Sequence, residues 1–213
     1  MSATNSTTLL NVLTSATSRR DIAGVSYLVP AASVLFFTVL TAAAAQISVP
    51  LPFTDVPLTM QPMVVLIGGL ALGSRLGCAS QILYLTAGIA GLPVFAASAT
   101  LLPGALRLLG PTGGYLMAYP FAAFVAGWLA ERGLDRRYVG SFLAMLAGLA
   151  IIFAFGIAWL ALFARTLSGG SPIGINAALS TGLYPFLFAD IIKLAIAAGL
   201  VPAVWRAIGR PQR

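Results

Sequence analysis

The chain contains no histidine, a single cysteine and a single lysine, and only 8% of its 213 residues are charged. Each scarcity removes a class of function. Without histidine, the usual neutral-pH proton shuttle and the commonest metal ligand are both missing. A lone Cys78 excludes an internal disulfide and a cysteine-built zinc site. In the apolar context "RLGCASQIL" it reads as a small packing residue. A soluble domain carries roughly a quarter charged residues. A chain with 59% hydrophobic residues and a mean hydropathy of +0.97 is instead expected to be one polytopic membrane domain. The net charge of +7 does not signal nucleic acid, because the basic residues flank apolar runs rather than forming a patch interleaved with aromatics.

Six apolar segments are present, at roughly 27–48, 59–73, 75–91, 113–131, 139–164 and 181–205. They predict an all-α protein with six transmembrane helices. "SRRDIAG" and the later "AAAAQ" imitate a cleavable signal. The run from Tyr27 to Ile47 is nevertheless about the ~20 residues needed to span, and more membrane follows it, so the first helix is expected to be retained. Residues 1–20, rich in Ser and Thr, read as a disordered cytoplasmic tail, and residues 21–213 as the membrane domain. With the N-terminus inside, nine arginines fall in inner segments and two, Arg107 and Arg165, in outer loops. That bias predicts cytoplasmic termini at both ends. The second and third segments are short and meet at "GSRLG", so they are expected to be tilted, bent or sunk within the protein. Gly69, Gly73 and Gly77 recur every four residues, a spacing that lets helix backbones approach closely. No internal repeat is evident, which weighs against an inverted-repeat carrier.

Two constellations carry chemistry. In "PFLFADIIKLAIA" Asp190 and Lys193, the only lysine, stand three residues apart in a greasy helix. Each such group costs about 2.5–3.5 kcal/mol at membrane depth on insertion scales. At i and i+3 they share a face and partly neutralise each other. A structural ion pair is the plain alternative, but apolar residues of similar volume are often as stable. The second is "GPTGGY", Gly110 to Tyr115, a turn in which Gly113 and Gly114 permit unusual or close-packed backbone and Tyr115 adds a ring with a polar tip. It lacks the lysine of a phosphate-binding P-loop, so ATP hydrolysis by this chain is not expected.

Taken in order, "QISVPLPFTDVPLTMQPMVVLIGGLALG", "LYLTAGIAGLPVF", "LGPTGGYLMAYP" and "PFLFADIIKLAIA" resemble the BioY family, the biotin-specific S components of energy-coupling-factor (ECF) transporters. The resemblance runs from about Phe37 to Pro202. It implies a six-helix S component in the bacterial cytoplasmic membrane. Such a subunit holds biotin near the outer face and works with a membrane coupling (T) subunit and ATP-binding-cassette ATPases, with no cofactor. It implies that Asp190 and Lys193 both line the biotin pocket, beside the GPTGGY turn. An ionised Asp accepts from the ureido N–H groups of biotin, and Lys donates to a carbonyl or carboxylate oxygen. Phe53, Leu92 and Phe95 are expected to cover the apolar parts of the ligand.

Departures from the family pattern matter. Some relatives carry an Asn ahead of GPTGGY or an Arg just after its Tyr. Here those places read "AASATLLPGALRLL" and Leu116. Arg107 is then the candidate for the ligand carboxylate, with a loop-anchoring role as the alternative. In the first helix Thr38 and Ala42, and Thr41 and Ala45, form small-residue pairs. By resemblance this face docks the coupling subunit; internal packing is the open alternative. Two other functions fit the sequence less well. An intramembrane enzyme lacks a second buried carboxylate, a metal set or a triad. An ion-coupled carrier would titrate Asp190 and would have to manage without repeats.

Overall fold

The computed structural model describes residues 8, 25–97, 103–163 and 171–208. The tail expected over residues 1–20 lies outside them, apart from Thr8, which is buried with its methyl group against Gly73. Eight helices appear among the described residues: α1 (Val25–Gln46), α2 (Gln61–Leu72), α3 (Ser74–Ile89), α4 (Gly113–Glu131), α5 (Tyr138–Leu162), α6 (Gly174–Gly182), α7 (Tyr184–Ala197) and α8 (Leu200–Ile208). Short 3-10 turns occupy Gly104–Leu109 and Leu134–Arg136.

An all-α chain was expected, but residues 48–59 form an antiparallel hairpin of β1 (Ser48–Leu51) and β2 (Thr54–Thr59). The reason is local. Pro50, Pro52 and Pro57 forbid a helix, and Val49, Thr54, Val56 and Thr59 favour extended backbone. The register pairs Ser48 with Thr59 and Leu51 with Thr54, and it slips between Val49 and Leu51, where Pro50 cannot donate to the ladder.

Four stretches are long and apolar enough to cross a bilayer: Tyr27–Gln46, Gly113–Glu131, Tyr138–Leu162 and Tyr184–Ala207. At 12 and 16 residues, α2 and α3 fall short of a full span. The last apolar segment starts later than residue 181. The chain breaks at Leu183 after the short α6, and Pro185, which has no N–H to give, opens α7.

The core is built around α4, which packs on α2, α3 and α5. Its buried face is mostly Gly and Ala, so neighbouring backbones come close. A Cβ on Gly69 would strike the Ala123 carbonyl oxygen, and one on Gly77 would come within 2.9 Å of the Gly69 Cα. The four-residue glycine spacing thus serves close approach.

At one end of the bundle the α2–α3 turn meets the end of α4. Glu131 Oε1 accepts from both Ser74 N–H and Ser74 O–H at 2.8 Å, satisfying a donor at the start of α3. The same end holds the α4–α5 turn, against which α8 docks through Trp205 and Asp135. The hairpin, the loop after α3 and the GPTGGY turn gather at the other end, around a cavity.

Candidate functional site

The cavity measures about 60 Å³ and is lined by β2, the start of α2, the loop after α3, the Gly104–Leu109 turn, the first two turns of α4, the middle of α5, and α7. Most of its wall is apolar: Val56, Leu58, Phe95, Leu116, Ile152, Phe153 and Phe186. Seven polar residues also line it. They are Thr59, Gln61, Arg107, Thr112, Tyr115, Tyr119 and Asp190. An apolar pocket with a handful of converging polar groups is the usual form of a small-molecule site.

Asp190 is 4% exposed and reaches this wall from α7. Lys193, one turn on, pairs with Asp190 Oδ1 and donates to the Thr59 carbonyl oxygen at 2.7 Å. The resemblance implied that both line the pocket, but Lys193 is not part of the wall. Its ammonium instead ties the carboxylate to the end of β2, so α7 and the hairpin are joined by one cation.

Arg107, 6% exposed, donates from Nη2 to the Ala96 carbonyl oxygen at 2.9 Å. Among the described residues its Nε has no hydrogen-bond partner, and neither does the buried Thr112 hydroxyl on the same wall. Burial lowers the pKa of the guanidinium from its ordinary value. Two unsatisfied donors on residues that line the cavity suit an anionic or carbonyl acceptor.

The GPTGGY turn works differently from expectation. Gly113 and Gly114 do not line the cavity. Gly113 lies against the Leu108 carbonyl and Gly114 against Trp159, so any side chain would push the turn away from α5. Trp159 Nε1 donates to the Gly110 carbonyl oxygen at 2.9 Å and locks that contact. Tyr115 does reach the wall, but its hydroxyl donates to the Gly182 carbonyl oxygen at 2.8 Å, leaving the ring as the surface it presents.

Of the three apolar cover residues, Phe95 alone is on the wall, buried and edge-on to Tyr84 at 5.6 Å between ring centres. Phe53, at the hairpin turn, and Leu92 are exposed and outside the wall. They sit at loop tips, where an apolar residue says little about which way it points. The small-residue face of α1 shows the internal packing left open as its alternative. Thr41 and Ala45 are fully buried, Thr38 O–H donates to the Ser80 carbonyl oxygen at 2.9 Å, and Gln81 Nε2 donates to Thr41 Oγ1 at 3.3 Å. Ala42 packs against the core. These contacts set the face against the rest of the chain, with Ala42 half-buried.

Sequence reasoning passed over Gln61, Thr112 and Tyr119. A polar amide at the head of the apolar run "QPMVVLIGG" was the available signal for Gln61. Thr112 lies within the GPTGGY turn, whose glycines and tyrosine drew the attention, and nothing local separates Tyr119 from ordinary core residues.

Comparison with known proteins bears on this geometry. The BioY family profile matches residues 15–210. A protein named "Probable biotin transporter BioY" from Pyrococcus horikoshii is 41% identical over 164 residues, covering 77% of this chain and 88% of the relative. A "Biotin transporter BioY" from Thermotoga maritima is 38% identical over 162 residues, covering 76% and 87%. A crystal structure described as the S-component for biotin from an ECF-type ABC transporter superposes with a TM-score of 0.74 at 24% identity. It spans 87% of this chain and 95% of that one, and so shares the fold.

Proposed function

The chain belongs to the BioY family, and from that membership we propose that it is the biotin-binding S component of an ECF-type vitamin uptake transporter. It carries out no chemistry of its own. It captures biotin and depends for transport energy on a membrane coupling subunit and ATP-binding-cassette ATPases. The observation that carries the reading is Asp190: a carboxylate held on the wall of an apolar cavity by a lysine in the same helix.

In this reading Asp190 accepts a hydrogen bond from a ureido N–H of biotin, a charge-assisted contact in a dry site. Lys193 acts through Asp190, holding its carboxylate toward the cavity. At the other pole Arg107 Nε and Thr112 O–H take the ligand carboxylate. Phe95, Tyr115 and Ile152 supply apolar surface for the thiophane ring and aliphatic tail. A cavity of about 60 Å³ holds only a few waters. The hairpin is a wall element tied to α7 through Lys193.

The membrane arrangement follows the arginines. Arg75, Arg132, Arg136, Arg137 and Arg206 are exposed and belong to the end where Ser74 meets Glu131 and Trp205 meets Asp135. That end is cytoplasmic by the positive-inside bias, and the cavity end faces outward. The chain crosses a bacterial cytoplasmic membrane six times, with α2 and α3 sheltered by neighbours and α7 and α8 sharing the last crossing. Since the Thr38 to Ala45 face is used internally, the coupling subunit meets another surface. Calorimetry on detergent-purified protein tests the reading: one biotin per chain is expected, and an absence of binding by freshly purified, biotin-free protein would reject it.

A further inference from the structure

We propose that Gln61 is a second hydrogen-bond acceptor for the ligand, its polarity fixed by a chain that runs through Tyr84 to Val94. The inference rests on the biotin reading above and deepens it.

The argument starts from the end of the chain of bonds. The Val94 carbonyl oxygen can only accept, and Tyr84 O–H lies 3.2 Å from it, so the phenol proton is spent there. The phenol oxygen must then accept at its other contact, with Gln61 at 2.6 Å. The amide therefore turns its NH₂ toward Tyr84, and its carbonyl oxygen occupies the opposite branch. Among the described residues nothing donates to that oxygen. Gln61 is 3% exposed and belongs to the cavity wall. A carbonyl oxygen on the cavity wall with no donor among the described residues is available to an N–H of a bound ligand.

The placement fits a cyclic urea. Such a group has two N–H donors flanking one carbonyl and directed away from each other, so each needs its own acceptor. Gln61 follows Thr59 by two residues, and its own N–H reaches Thr59 Oγ1 at 3.4 Å. The Thr59 carbonyl is the one that binds Lys193, which also pairs with Asp190. The lysine thus links the two acceptors, Asp190 on α7 and Gln61 at the head of α2. A neutral amide at the second place avoids a second buried negative charge. Tyr84 is a positioning residue: fully buried, it packs against Phe95 and Tyr119.

The test uses purified protein, biotin and two biotin analogues, each methylated on a different ureido nitrogen. Gln61→Met is expected to weaken biotin about tenfold. It should leave affinity for one of the two analogues, the one that has already lost the relevant N–H, at the wild-type value. Tyr84→Phe keeps the ring but frees the amide to flip, and should show the same analogue pattern with a biotin loss of about threefold. Equal weakening of biotin and both analogues by Gln61→Met would assign Gln61 a structural role and overturn the proposal, as would unchanged biotin affinity. Failure of the wild-type protein to bind biotin at all would instead overturn the functional reading, and this inference with it.

Discussion

Two buried aspartates sit at opposite ends of the molecule, and their surroundings differ. Asp190, 4% exposed, faces a cavity and is held by Lys193, whose ammonium is shared with the Thr59 carbonyl. Asp135, 1% exposed, is not on the wall of that cavity. Its Oδ2 accepts from Trp205 Nε1 at 2.6 Å, while its Oδ1 has no partner among the described residues. Burial raises the Asp135 carboxyl to about 6, against the opposing pull of the Trp205 N–H and the Arg136 charge. Burial alone therefore does not mark a binding site. What separates the two is the void beside Asp190. A carboxylate against empty space keeps lone pairs for a ligand, whereas one capped by an indole fastens a helix, here α8 to the α4–α5 turn.

The comparison breaks most easily at the ligand. Asp190→Asn replaces a charged acceptor by a neutral amide and leaves Lys193 without its counter-ion. Biotin affinity should fall about 100-fold, near 3 kcal/mol, while Asp135→Asn should leave it within about twofold. Calorimetry on both variants checks this, and equal losses would erase the distinction.

The next effect belongs to the other aspartate. Trp205→Phe keeps an aromatic ring but removes the N–H, leaving a buried carboxylate with no donor on that oxygen. Thermal denaturation in detergent should show about 2 kcal/mol of lost stability, with biotin affinity retained in the folded fraction.

A smaller effect sharpens the same contrast through pH. The folded Asp135 pKa lies above its ordinary value of 3.8, so the folded state takes up a proton as pH falls through about 6. Stability carried by this group therefore rises on acidification from pH 7.5 to 5, by about 1 kcal/mol. It is lost again as pH returns above 6. Asp135→Asn should flatten that slope in melting experiments across this range.

The mildest perturbation concerns which end faces out. In a Cys78→Ser background, single cysteines are placed at the exposed positions Ser171 and Arg136. The Ser171→Cys protein should react with an impermeant reagent added to intact cells, and the Arg136→Cys protein should not. Labelling of the latter from outside would invert the proposed arrangement.

Much of this was legible along the chain, because some constraints act locally. Runs of apolar residues specify helices wherever lipid is the solvent, and the positions of α1, α4 and α5 follow from them. Asp190 and Lys193 stand out because a charge in such a run is expensive wherever it points. Gly69 and Gly77 announce close packing because no side chain fits between touching backbones. The hairpin was hidden, since its three prolines exclude a helix without saying what replaces it.

Direction and partnership were decided only in three dimensions. Phe53 and Phe95 are both phenylalanines in loops, yet one is exposed and the other lines the cavity, a choice made by Tyr84 and Gly88 on α3. The Thr38 to Ala45 stripe suits any close-packed contact, and α3 takes it because the chain's own helix is always present at high local concentration. Gln61 is one polar residue among many until Tyr84, 23 positions away, fixes which end of its amide is free. Sequence alone determined where the chain meets lipid and where charge must be sheltered, because those costs are set residue by residue. The tertiary structure decided which groups face the cavity, because a hydrogen-bond partner distant in sequence selects among orientations that are otherwise equal in energy.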